Sequence, residues 1–145
     1  MSISFGTIII GHGLRSDEKM PVVGIGVDIV EVSRIRHLHR RYGDRFLTRV
    51  YDAREIEYCF RFKDPYPHLA ARWAAKEAVA KALGTGFAKG IHWTSIVTVN
   101  LPWGEPVAFL FGSAHERASA LKVAKVWLSL AHSEHYAVAC AVLES

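Results

Sequence analysis

The chain has only two cysteines in 145 residues, Cys59 and Cys140, in different segments and without metal-ligand spacing. That pattern argues against a disulfide-built scaffold and a cysteine zinc site. Both thiols are expected to be reduced, as in a cytoplasmic protein. No apolar run approaches the ~20 residues that span a bilayer. Ile8-Ile9-Ile10 is too short for a secretory core and no basic stretch precedes it, so neither membrane nor secretion is expected. Acidic charge is scarce: 14 Asp and Glu stand against 18 Lys and Arg, a net charge of +4, with eight histidines besides. The deficit favours anionic partners, whether phosphorylated ligands, acidic proteins or nucleic acid, without choosing among them. Internal repeats and low-complexity stretches are absent. Half the residues are hydrophobic and 22% are charged, which suits one packed domain and excludes disorder.

Residues 1–21 read as an extension ahead of a single domain at 22–145. Charged Arg15, Asp17, Glu18 and Lys19 lead to Met20-Pro21, just before the first convincing strand. The extension is either a short extra strand and loop or an upstream start, and every motif below lies after it. Residues 22–29 alternate with period two: Val23, Ile25, Val27 and Ile29 share one face, Gly24, Gly26 and Asp28 the other. The glycines are expected to leave room for a ligand beside Asp28. Residues 32–42 form an amphipathic helix, with Ile35, Leu38 and Tyr42 on one face and arginines over the rest, ended by Gly43. A second helix is expected from about 53, a loop at Lys63-Asp64-Pro65-Tyr66-Pro67, and a long central helix over 68–83 closed by Gly84. Strands are expected at 94–101 and 107–111 around a Pro-Trp-Gly-Glu-Pro turn. Ser113 to Glu116 has capping-box form before a short helix. Strands at 126–131 and 136–143 close the chain. The order gives an α+β fold, a mainly antiparallel sheet packed with a long central helix.

Ala71, Ala75, Ala78 and Ala82 put a stripe of small residues along the central helix, allowing another element to approach its backbone. Glu77 and Lys81 are an i, i+4 pair in the favoured order; Arg72 and Lys76 are also four apart, on a neighbouring face. Isolated pairs of this kind are ordinary solvated charges. The Gly84-Thr85-Gly86 ending adds a turn whose free amides, beside Lys81, could cradle phosphate; the lysine precedes the glycines, so this is no P-loop. Asp28 and Glu77 together suit Mg²⁺, which takes one or two carboxylates, waters and phosphate oxygens. His132 and His135 have zinc-like spacing but no suitable third ligand. Trp73, Trp93, Trp103 and Trp127 read as packing residues, and the remaining histidines as surface or helix-end residues.

Two blocks, Gly24-Ile25-Gly26-Val27-Asp28-Ile29-Val30-Glu31-Val32-Ser33-Arg34-Ile35 and Arg72-Trp73-Ala74-Ala75-Lys76-Glu77-Ala78-Val79-Ala80-Lys81-Ala82-Leu83-Gly84-Thr85-Gly86, resemble those of the small holo-(acyl-carrier-protein) synthases, a type of 4′-phosphopantetheinyl transferase. Leu128-Ser129-Leu130-Ala131-His132 is similar to a third motif of that family, with Ala131 where a serine is common. The resemblance runs from about 22 to 144, in order, and leaves 1–21 outside. It implies the 4′-phosphopantetheinyl transferase-like fold and transfer of the phosphopantetheine arm of coenzyme A to a serine of apo acyl carrier protein, in support of fatty-acid biosynthesis, with 3′,5′-ADP released. Matched residue by residue, Asp28 and Glu77 would bind Mg²⁺. Lys81 and the Gly84-Thr85-Gly86 turn would hold phosphates of coenzyme A. Arg72 and His132 would take the nucleotide end, with Lys76 a further phosphate candidate. Glu77 is the candidate base for the serine proton, through a metal-bound water, and Lys81 joins it as catalytic. Arg34, Arg36, Arg40, Arg41 and Arg45 would dock the acidic carrier protein. The family also implies a homotrimer with sites between subunits.

Two other classes stay open: a nucleotide-binding module without catalysis, and a nucleic-acid-binding domain. The intact Asp28, Glu77 and Lys81 disfavour the first. Against the second, no nucleic-acid motif is present and the basic residues gather on one helix.

Overall fold

The computed structural model describes residues 2–9 and 21–145. In chain order the elements are β1 (Ser2–Ile9), β2 (Val22–Glu31), α1 (Val32–Tyr42), α2 (Asp44–Val50), α3 (Ala53–Cys59), α4 (Tyr66–Ala82), a 3₁₀ turn (Trp93–Ser95), β3 (Ile96–Asn100), β4 (Pro106–Leu110), α5 (Gly112–Ala120), β5 (Lys125–His132) and β6 (Tyr136–Glu144). Four strands form an antiparallel sheet in the order β1-β5-β6-β2, and β3 pairs with β4 in a separate hairpin. The α+β expectation holds. Part of the N-terminal extension is a strand: Ser2 to Ile9 pair with His132 to Lys125 along the outer side of β5. Residues 10–20, Met20 among them, lie outside the described residues.

α4 is the axis of the molecule. Most of its residues are buried, Arg72 and Lys76 among them, while Lys81 is exposed. Pro67 sits in its first turn, where a missing amide hydrogen costs nothing. At the other end Gly84 turns the chain at φ +76°, a conformation that favours glycine.

The alanine stripe meets β2. A Cβ built on Gly26 would overlap the carbonyl oxygen of Ala78, and one on Gly24 the carbonyl oxygen of Ala82. The glycines therefore do not leave space for a ligand, as the sequence pattern suggested. The backbone of α4 fills that space. Asp28 follows on the same strand face, just beyond the contact, and faces the next stretch of α4.

The opposite face of the sheet carries apolar side chains in register. Ile25 stands beside Val142, which pairs with Trp127; Val27 beside Cys140, then Ser129; Ile29 beside Val138, then Ala131. Ile25, Val27 and Ile29 are 68%, 60% and 65% exposed.

The helix expected from about 53 is α3, which begins where Asp52 and Glu55 build a reciprocal capping box, with α2 ahead of it. Two local expectations change. A 3₁₀ turn replaces the start of the strand predicted at 94–101, so β3 begins at Ile96. Ser113 does not cap α5, which begins after Phe111 without a side-chain cap.

Gly26→Ala is expected to destabilise the protein by about 1–3 kcal/mol or more, since backbone atoms, not a movable side chain, must give way. Chemical denaturation measures it, and an unchanged midpoint would contradict the contact.

Candidate functional site

Asp28 at the end of β2 and Lys81 in the last turn of α4 meet directly: Lys81 Nζ donates to Asp28 Oδ1 at 3.0 Å and to the Val27 carbonyl at 3.1 Å. Glu77, one turn earlier on the same helix face, is half-buried. Burial raises its carboxyl above the ordinary value, the negative Asp28 raises it further, and Lys81 and Arg34 pull it back. The structure thus brings together Asp28, Glu77 and Lys81, and adds Arg34 at their edge, its guanidinium 5.4 Å from the Trp73 ring centre. A carboxylate whose proton affinity is raised by a neighbouring carboxylate marks a place where a divalent cation is favourable. Among the described residues no three His, Cys, Asp or Glu side chains gather into a closed metal cage. The donor set fits a hard cation that keeps waters and phosphate oxygens in its shell.

The Gly84-Thr85-Gly86 turn lies beside Lys81, but its glycine amides are not free. Gly84 N donates to Lys81 O and Gly86 N to Ala80 O, closing the end of α4. Arg117 of α5 donates to Leu83 O at 3.0 Å and completes the cap. The Thr85 hydroxyl donates to Gly86 O. Lys81 is therefore the charged group this turn presents.

Lys76 is a correction. Its side chain is fully buried, and its three ammonium hydrogens have three acceptors: Glu55 Oε1 at 2.8 Å, Trp93 O at 3.0 Å and Ile96 O. Glu55 is equally buried, and its carboxylate also accepts from the amides of Asp52 and Thr98. Nothing is left for a phosphate. Lys76 ties α4 to α3 and to the start of β3. Its partner was not found from sequence because Glu55 is 21 residues away, on another helix.

Arg72 and His132 come together at the other end of α4. Arg72 is 3% exposed; its guanidinium lies 4.0 Å from the Tyr58 ring centre and donates to Asn100. Its Nε, and Nε2 of His132, are buried without a partner. His68, one helical turn before Arg72, joins them. It stacks on Phe62 at 3.6 Å and meets His132 edge-on at 4.8 Å. Burial first, then the neighbouring His132 and Arg72, bring the His68 imidazole down to about 4, against a small opposing pull from Asp64. His132 is lowered too, first by burial and then by nearby positive charge, Arg72's included. His68 was among the histidines read as surface or helix-end residues; a lone histidine at the start of a helix gives no signal of its ring partners.

The five arginines of α1 and its continuation divide. Arg40, Arg41 and Arg45 are exposed. Arg36 is tied down by Asp64 at 3.2 Å. Arg34 belongs to the carboxylate cluster as much as to the helix surface. Beside them lies a groove of about 370 Å³ lined by Leu38, Tyr42, Phe46, Val50, Trp73 and Trp93, with Arg45 and Arg49 on its rim. Trp73 and Trp93 pack against each other at 4.3 Å, and Phe87 stacks on Trp93 at 4.0 Å. These two tryptophans are packing residues, as expected, whereas Trp103 is largely exposed and Trp127 partly so, at 73% and 41%.

Residues 24–141 match the model of the 4'-phosphopantetheinyl transferase superfamily. The chain is 43% identical over 123 residues to a holo-(acyl-carrier-protein) synthase of Koribacter versatilis, covering 85% of this chain and 98% of that one. It is 44% identical to one of Chlamydia trachomatis, covering 83% and 98%. Among solved structures, the Neisseria meningitidis holo-(acyl-carrier-protein) synthase superposes with a TM-score of 0.77 at 32% identity, over 86% of this chain and all of that one. The Helicobacter pylori synthase, solved in complex with coenzyme A, gives 0.73 at 30% identity, over 82% and 98%.

Lys76→Met is expected to cost roughly 3–5 kcal/mol by stranding Glu55, and the Lys76→Met/Glu55→Gln double variant to cost less than the sum. A phosphate ligand would behave oppositely, leaving stability intact and raising the KM for coenzyme A. Stability should also fall as pH drops from about 6.5 towards about 4. In that window the unfolded His68 takes up a proton that the folded one refuses. Denaturation midpoints across this range should slope less for His68→Phe, and an equal slope would remove His68 as a contributor.

Proposed function

The chain belongs to the 4'-phosphopantetheinyl transferase superfamily, and on that premise we propose that it moves the phosphopantetheine arm of coenzyme A onto a serine of an apo acyl carrier protein. The serine oxygen bonds to the phosphorus that carries the pantetheine, the bond from that phosphorus to the leaving oxygen breaks, and 3′,5′-ADP departs. The observation that carries the reading is the Asp28–Glu77–Lys81 constellation, set between β2 and α4 inside the matched region.

Asp28 and Glu77 would hold Mg²⁺. Bound there, the ion would supply neutralisation of the pyrophosphate's charge. Lys81 faces the same phosphates and stabilises charge on the leaving oxygen. Glu77, its proton affinity raised by burial and by Asp28, accepts the serine proton through a water. Arg72 and His132 hold the nucleotide end. Transfer of this kind is mostly positioning and charge neutralisation, which these side chains supply.

The carrier protein docks on Arg40, Arg41 and Arg45, with Arg36 held for it by Asp64 and Arg34 at the boundary between carrier and phosphate. The apolar groove behind Arg45 receives a side chain from the partner. The protein works in fatty-acid biosynthesis in the cytoplasm. No helix among the described residues is long and apolar enough to cross a membrane.

The site is shared in a homotrimer. Arg72 and Lys81 are nine residues apart, ~13 Å along the helix and half a turn around it. One subunit therefore does not bring both to one nucleotide. The exposed rows that start at Ile25, Val27 and Ile29 give neighbouring subunits an apolar sheet face to bury.

Incubation with coenzyme A, Mg²⁺ and apo carrier should add one phosphopantetheine mass to the carrier; no gain with any carrier would refute the reading. Asp28→Ala and Glu77→Ala should each lower transfer by about 10²–10³ with the fold intact. Arg40→Glu/Arg41→Glu should raise the KM for carrier and leave that for coenzyme A nearly unchanged. Glu77→Ala and His132→Ala proteins, dissociated and reassociated together, should regain part of the activity, because some mixed interfaces carry neither lesion. Verified mixed oligomers without recovery would exclude a shared site.

A further inference from the structure

The N-terminal end of α4 gathers hydrogen-bond donors that lack acceptors. Arg72 is 3% exposed, yet its Nε has no partner, and neither does the buried Nε2 of His132. His68 stands one turn before Arg72, so the two share a helix face. Its ring is fixed by stacking on Phe62 and by the edge contact with His132. Arg72 is close enough for its charge to disfavour protonation of both imidazoles.

The groups around His68 can be followed element by element. α3 and the residues after it give Tyr58 and Phe62, uncharged rings. The loop before α4 gives Asp64, whose carboxylate is already engaged by Arg36 and by the amide of Tyr66. α4 gives Arg72, and β5 gives His132. Around His68 the described residues therefore supply the Arg72 cation, two imidazoles and no free anion, at the positive end of a 17-residue helix. A bound anion would satisfy the orphaned nitrogens and turn the repulsion among these groups into attraction.

We propose that His68 is a further binding residue of this site, contacting the 3′-phosphate of coenzyme A together with Arg72 and His132. This rests on the transfer reading above and adds to it a residue that the motifs do not contain. A neutral imidazole has one N–H to donate, and a phosphate dianion beside it favours the doubly protonated ring, which donates more strongly. His68 also walls the pocket through its stack on Phe62, so the phosphate meets a fixed donor.

The test compares coenzyme A with dephospho-coenzyme A, which lacks the 3′-phosphate. His68→Phe keeps the ring stack and removes the donor; His68→Leu serves if the first variant does not fold, and His68→Gln restores an N–H. The expected result is a KM for coenzyme A raised about 10-fold in the Phe variant, the size of a lost charge-assisted hydrogen bond. The KM for dephospho-coenzyme A should stay within about 2-fold, and the Gln variant should recover part of the loss. A Phe or Leu variant that shifts both KM values equally, or neither, overturns the proposal. Wild-type protein that transfers from both donors with equal KM overturns the phosphate's placement, and the proposal with it, while leaving transfer intact. Wild-type protein that transfers from neither overturns the underlying reading.

Discussion

Everything in this fold depends on how closely α4 lies against β2. Two glycines on the strand and two alanines on the helix let backbone meet backbone, with no side chain between them. That contact sets the depth at which the helix sits in the sheet. It fixes Glu77 and Lys81 relative to Asp28, because all three project from elements that have no freedom to separate. The carboxylate pair is a consequence of packing before it is a piece of chemistry. Positioning is most of what phosphoryl transfer asks of a protein, so a rigid strand–helix seam is a suitable place to build such a site.

Charge inside the molecule is organised in two ways. Lys76 and Glu55 are buried and complete: every strong donor and acceptor around the ammonium is matched, and the pair acts as a strut between α3, α4 and β3. Arg72 and His132 are buried and incomplete. The two arrangements sit four residues apart on one helix. A satisfied buried charge holds elements together, whereas an unsatisfied one is a cost that the ligand of the proposed reaction would relieve.

The strand alternation from Val23 to Ile29, the α1 boundaries and the long central helix were legible in the sequence because each rests on a local period. The pairing of Asp28 with Glu77 and Lys81 was also legible, through motifs whose spacing is characteristic. What the glycines are for was misread, since a period-two pattern says which face a residue occupies and not what fills the space above it. Lys76 was misread for a related reason: a lysine on a helix looks solvated until its burial is known, and Glu55 comes from a distant helix. His68 gave no signal, because ring stacking across three elements leaves no spacing to find. The strand at Ser2–Ile9 was one of two readings of the extension, and its register with β5 is a long-range pairing that local pattern does not specify.

The Gly24-x-Gly26-x-Asp28 pattern joins two unlike requirements in five residues. Its glycines answer to the shape of a neighbouring backbone, and its aspartate, in the proposed reaction, to a cation and a substrate. The two can drift apart in evolution. A descendant that exchanged only Asp28 would keep the whole architecture and become an inert look-alike, still displaying the basic helix and its groove. One that exchanged Gly26 would lose both together. Retained glycines therefore certify the scaffold of such a protein, and only the aspartate testifies to its trade.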